Sequence, residues 1–171
     1  DSATEDVPSV VASVRPEDVE GMVRRDGSGD EEFVIQAHRT RVLSLLKPGQ
    51  RMPDLVLGPK EWEVYTVAPV LSSGDVKWAP VALDQMLNGG GAIKSGLTLA
   101  SESAAKGKGG GGVVGTVGVY GCGALVCYSN VEPDEVEVDG TRVKARWQKA
   151  DGNLIVPLGP REGDHAVVVR F

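Results

Sequence analysis

The stretch Val136-Glu137-Val138-Asp139-Gly140-Thr141-Arg142-Val143-Lys144-Ala145-Arg146-Trp147 decides the fold class. Apolar and charged residues alternate on both sides of Asp139-Gly140, so each flank has one oily and one solvated edge. Asp-Gly between two such runs signals a two-residue hairpin, whose turn positions need positive φ. Asp151-Gly152 repeats the device before the apolar run 154–158.

Working outward, the same period of two recurs, broken by turn residues at intervals of about eight to twelve positions. Segments 113–119 and 124–128 read as two strands joined through 121–123, and 165–171 closes the chain as an apolar strand. Towards the N-terminus, Val10, Val11 and Val14 form a short opening strand that Pro16 ends. Residues 33–38 pair with 42–46 across 39–41, and 55–57 is a short strand closed by Gly58-Pro59. Trp62, Val64, Tyr65 and Val67 read as the strongest central strand, stopped by Pro69. Pro80 near the end of 76–81 lacks a ladder donor, which predicts an edge or exit position there. Residues 84–88 allow one helical turn, and no amphipathic run elsewhere reaches about three turns. The stretch 101–112 is mostly Ser, Ala, Lys and Gly, too poor in apolar residues to order itself, and predicts a disordered surface loop. The expectation is an all-β chain: one antiparallel β-sandwich domain over 1–171 with a long glycine-rich loop, a closed barrel being the alternative.

Composition narrows the function. At 171 residues the chain can bury roughly 70% of its extended surface and needs no disulfide or metal staple. Its net charge of -6, with Lys and Arg interspersed among Asp and Glu, excludes a phosphate-binding surface for nucleic acid and attraction to an anionic membrane. Apolar runs fall far short of the ~20 residues that cross a bilayer, and no secretory leader pattern opens the chain. Cys122 and Cys127 are too few for a secreted disulfide framework. They read as two small buried apolar residues in a reducing, cytoplasmic setting.

Chemistry-bearing patterns are sparse. His38 and His165 lie far apart, with no spacing suited to zinc, and read as satisfied structural histidines. No G-x-S-x-G elbow is present. The glycine tract 107–112 lacks the Gly-Lys-Ser/Thr that a phosphate loop requires, so no cofactor is expected. Acidic residues gather at 30–32 and at Glu132, Asp134, Glu135, Glu137 and Asp139. The second group alternates with Val136 and Val138, which reads as a solvated strand face rather than a glycosidic acid/base pair. Trp62, Trp78 and Trp147 are the candidate sugar-stacking side chains, each equally able to fill a core.

Several segments together resemble a known family. Phe33-Val-Ile-Gln-Ala-His-Arg39, Val42-Leu-Ser-Leu-Leu46 and Trp62-Glu-Val-Tyr-Thr-Val-Ala-Pro-Val70 are similar to the C-terminal part of the raffinose synthase and seed imbibition proteins, plant members of the α-galactosidase-like glycoside hydrolases. So are Ser13-Val-Arg-Pro-Glu-Asp-Val19 and Trp78-Ala-Pro-Val-Ala-Leu-Asp-Gln-Met-Leu-Asn-Gly-Gly-Gly-Ala-Ile93, followed by Gly123-Ala-Leu-Val-Cys-Tyr-Ser129, Pro133, Val138-Asp-Gly140 and Trp147. The resemblance implies a C-terminal β-sandwich whose partner is an upstream catalytic barrel. That barrel holds two aspartates that move galactose from galactinol to sucrose, or to water in the alkaline α-galactosidases. No segment here matches the barrel's motifs, so no catalytic residue is carried over. Three readings follow: a non-catalytic accessory domain, a carbohydrate-binding module with exposed tryptophans, and a truncated product without activity.

Overall fold

The computed structural model describes residues 8–22, 31–84, 86–94, 96–101 and 112–171. All but the ends of the loop expected over 101–112 therefore lie outside the described residues. The described chain forms β1 (Val10–Ala12), β2 (Phe33–Ala37), β3 (Leu43–Leu46), β4 (Leu55–Leu57), β5 (Tyr65–Pro69), β6 (Leu71–Ser73), β7 (Val76–Leu83), β8 (Thr98–Ser101), β9 (Val113–Ser129), β10 (Glu135–Val138), β11 (Thr141–Arg142), β12 (Arg146–Gln148) and β13 (Asn153–Arg170). All pairings among them are antiparallel. The expected β-sandwich is the fold observed.

An eight-stranded sheet runs β11-β10-β13-β9-β7-β6, with β12 on β13 and β8 on β9. Its spine is the ribbon of β9 and β13, paired from Asn153 opposite Tyr128 to Arg170 opposite Val114. The residues expected to form two strands around 121–123 are thus one strand with a corner in it. Register shifts at Pro157/Gly159 and Gly159/Gly163 mark the bend. Gly121, Gly123 and Gly159 take φ of 145°, 86° and 87° there, backbone that residues with a Cβ rarely adopt.

The bend brings two limbs of one sheet over a shared core. Val117, Val119, Val167 and Val169 from one limb meet Leu125, Cys127, Leu154 and Val156 from the other around Trp78. Gly115 shows how close the limbs come: a Cβ there would lie 2.8 Å from the Trp78 ring. A second core forms on the other face, where the three-stranded sheet β3-β2-β5 packs Val34, Leu43 and Ala68 against Ala79, Val81, Ala82, Val126 and Tyr128. Part of β7 and β9 is therefore covered on both sides, which explains why β7 ends in an unbroken buried run rather than alternating.

Two local expectations are corrected. Tyr65–Pro69 is an edge strand of the small sheet, and Trp62 lies outside it. Just before β5, the Glu63 carboxylate accepts the amides of Arg39 and Val64, which removes both from ladder pairing. Pro80, by contrast, lies where β7 pairs β9 alone, since β6 reaches no further than Trp78, which is the edge position expected of it. The helical turn is a 3₁₀ turn at Gly89–Ala92, displaced from 84–88. Gly89 is needed there because a Cβ would come within 2.6 Å of the Leu83 carbonyl oxygen. No described helix is long and apolar enough to cross a membrane.

Candidate functional site

The Asp151-Gly152 turn returns β12 onto β13, placing Trp147 opposite Leu154. Trp147 packs partly against the main core, and its indole N–H donates to the Ser129 carbonyl at 3.0 Å, which fixes the ring. The ring walls a groove of about 380 Å³, whose rim carries Glu132, Asp134, Glu135, Arg142 and Lys144. Apolar Val136, Val143 and Leu154 line it further in. An aromatic wall beside both donors and acceptors is what a neutral polyhydroxylated ligand requires.

The other two tryptophans diverge. Trp62 is 46% exposed and stacks on His38 at 6.0 Å between ring centroids, with the Arg39 guanidinium 5.4 Å from its own. Arg39 also donates to the Trp62 carbonyl at 2.9 Å. The indole thus borders a shallow cleft of about 290 Å³ with Leu55, Leu57 and Glu61. Trp78 is 0% exposed, so its candidacy for sugar stacking is corrected. It fills the bend of the large sheet and presents no face to solvent. Among the described residues its indole nitrogen has no oxygen or nitrogen acceptor, and the Cys127 thiol is its neighbour.

Four of the carboxylates weighed for acid/base work, Glu32, Glu135, Glu137 and Asp139, are held by basic partners. Glu135 faces Arg142 at 3.4 Å and Arg170 at 3.7 Å, and Arg170 also donates to Glu137 at 2.8 Å. Glu32, from the N-terminal acidic group, is paired with Lys77, whose pKa the bond raises. Asp139 sits in the left-handed turn of the β10–β11 hairpin at φ 53°. One of its oxygens accepts the Ala166 amide at 2.8 Å and the other meets His165 Nδ1 at 2.8 Å. These bonds, the backbone one foremost, hold its carboxyl below the usual range.

His165 Nε2 lies 3.2 Å from the carbonyl oxygens of Gly121 and Arg161. A nitrogen that donates to backbone carbonyls has no lone pair for a substrate proton. The pair is therefore unlike a catalytic His-Asp dyad despite its geometry. The residue pattern offered no signal of this contact, because Asp139 reads as a turn residue and His165 as a strand start. The cysteines also part company. Cys127 is buried, and burial pushes its thiol up to about 12. Cys122 is exposed at the sheet corner, correcting the expectation that both are buried: the alternation that buries Gly115, Val117, Val119 and Gly121 turns Cys122 outward with Tyr120. Among the described residues no three His, Cys, Asp or Glu side chains gather as metal ligands.

Fold and groove together define an antiparallel β-sandwich with a tryptophan-walled surface groove. The chain belongs to the raffinose synthase or seed imbibition protein Sip1 family, whose model matches residues 2–158. It is 32% identical over 152 residues to a galactinol–sucrose galactosyltransferase of Pisum sativum, covering 86% of this chain and 18% of that protein. A galactinol–sucrose galactosyltransferase of Oryza sativa subsp. japonica is 31% identical over the same shares. A stachyose synthase of Pisum sativum is 28% identical over 127 residues, 74% of this chain and 13% of that one. The chain thus spans under a fifth of the length of these relatives.

Proposed function

We propose that the chain is a non-catalytic β-sandwich domain serving the catalytic barrel of a protein that transfers galactose from galactinol to sucrose. The observation that carries this reading is the pairing of the carboxylates on the β10–β11 hairpin. Glu135, Glu137 and Asp139 are bonded to Arg142, Arg170 and His165, and both His165 nitrogens face acceptors. Catalysis of glycosyl transfer needs a carboxylate pair facing a sugar. The names of the relatives favour transfer to sucrose over hydrolysis as the parent reaction. Val11 and Val56, cross-strand partners and both well exposed on the β1–β4 ribbon, offer an apolar surface of the kind that packs against another domain. The purified chain, assayed with galactinol and sucrose, should neither transfer galactose to sucrose nor release it to water. Turnover abolished by one carboxylate substitution in this chain would overturn the proposal.

The Trp147 groove favours a second reading, a weak carbohydrate contact. Titration with raffinose, sucrose or galactinol, at concentrations on the order of millimolar, should change tryptophan fluorescence in the parent and in Trp62→Ala but not in Trp147→Ala. A flat response in the parent chain removes this reading.

A further inference from the structure

We infer that His165, held as an imidazolium, is a pH-sensitive latch joining the β10–β11 hairpin to the bend of the β9–β13 ribbon. Nε2 faces the carbonyl oxygens of Gly121 and Arg161, at 3.2 Å each, and a carbonyl only accepts. Nδ1 faces a carboxylate oxygen of Asp139 at 2.8 Å, which as an anion also only accepts. Neutral imidazole has one N–H and one lone pair, so either tautomer sets a lone pair against an oxygen. The protonated ring alone satisfies both sides.

The placement gives the bonds mechanical meaning. Period two puts His165 on the same side of β13 as the fully buried Val167 and Val169, and its side chain is only 8% exposed. Gly121 and Arg161 lie on opposite strands of the bend, where the ladder is interrupted and backbone carbonyls need other partners. Asp139 belongs to the hairpin that carries Glu135, Val136 and Arg142 of the groove. One ring thus ties three backbone segments together at the end of the main core. Other ionisable side chains around the corner are Tyr120 and Cys122 on β9, Arg161, Glu162 and Asp164 on β13, and Lys94, which lies over Tyr120.

The sign of the pH effect follows from linkage. The bond to Asp139 chiefly raises the His165 pKa above its ordinary 6.5, against the opposing effect of desolvation. The latch is therefore fully engaged below the unfolded value and released as pH rises through the folded one. Asp139 bounds the other side, since its lowered pKa keeps it charged until well into acid.

Nuclear magnetic resonance of the unmodified chain tests this directly. The ring nitrogens of His165 should report a doubly protonated imidazolium at pH 6, titrating above 6.5. Asp139→Asn should lower that pKa. Above it, amides of the corner, Gly121 to Gly123 and Arg161 to His165, should exchange faster than the ordinary base-catalysed rise, while those of β2 should not. A single-N–H tautomer of His165 across pH 5–7 would overturn the latch, as would a corner whose corrected exchange ignores the titration.

Discussion

Gly115 and Trp78 are far apart in sequence, yet each requires the other's identity. The indole occupies the space a side chain would need, with a Cβ only 2.8 Å from the ring. Gly115→Ala should therefore destabilise the chain by about 1–3 kcal/mol through overpacking, read as a lower denaturant midpoint. Gly163→Ala is the matched control, because nothing lies within 4 Å of its Cβ position, and it should stay within about 0.5 kcal/mol of the parent. The thiols give a second prediction at this scale. In native buffer a disulfide reagent should modify Cys122 quickly, whereas buried Cys127, its thiol pushed up to about 12, should react only on unfolding. Two equally fast thiols would contradict the burial of the β9 face. Residue identity alone predicted neither pairing, since burial at one position depends on what a distant strand places over it.

At the scale of elements, the strands divide by what covers them. Every residue of β2 is buried, and β9 and β13 pair along almost their whole length. The β1–β4 ribbon forms a separate two-stranded sheet whose Val10 and Val11 are each 63% exposed. Such a ribbon is marginal without further packing. Its amides should exchange through local opening well before those of β2, β9 and β13, which should approach the global unfolding limit. Equal protection in β1 would show that the ribbon is coupled to the cores. Hairpin positions were legible because Asp-Gly turns are local. The ranking of strands as edge or centre was not. The alternation around Trp62 suggested a central strand, but the Glu63 side chain diverts the neighbouring amides, and the chain's true spine lies at β9 and β13.

Across the whole molecule, the large sheet closes over its core only if both limbs of the ribbon are present. The family match ends at residue 158, yet Val167 and Val169 beyond it are fully buried and pair with the first limb of β9. A chain stopped after Leu158 leaves that limb with an open edge and an uncovered core. It should lose the cooperative thermal transition and aggregate, as measured by circular dichroism and light scattering. A sharp transition in the truncated chain would show that the second limb is dispensable. The alternation, the Asp-Gly turns and the glycines at 121–123 by themselves determined an all-β chain of antiparallel hairpins, because period and turn chemistry act over a few residues. The segments around 33–46, 62–70 and 78–93 likewise carried the family. Only the tertiary structure decided that one sheet bends onto itself, that Trp78 is core while Trp62 and Trp147 border clefts, and that His165 bridges Asp139 to the corner. Each depends on residues brought together from distant strands by the bend, a juxtaposition that no local period encodes.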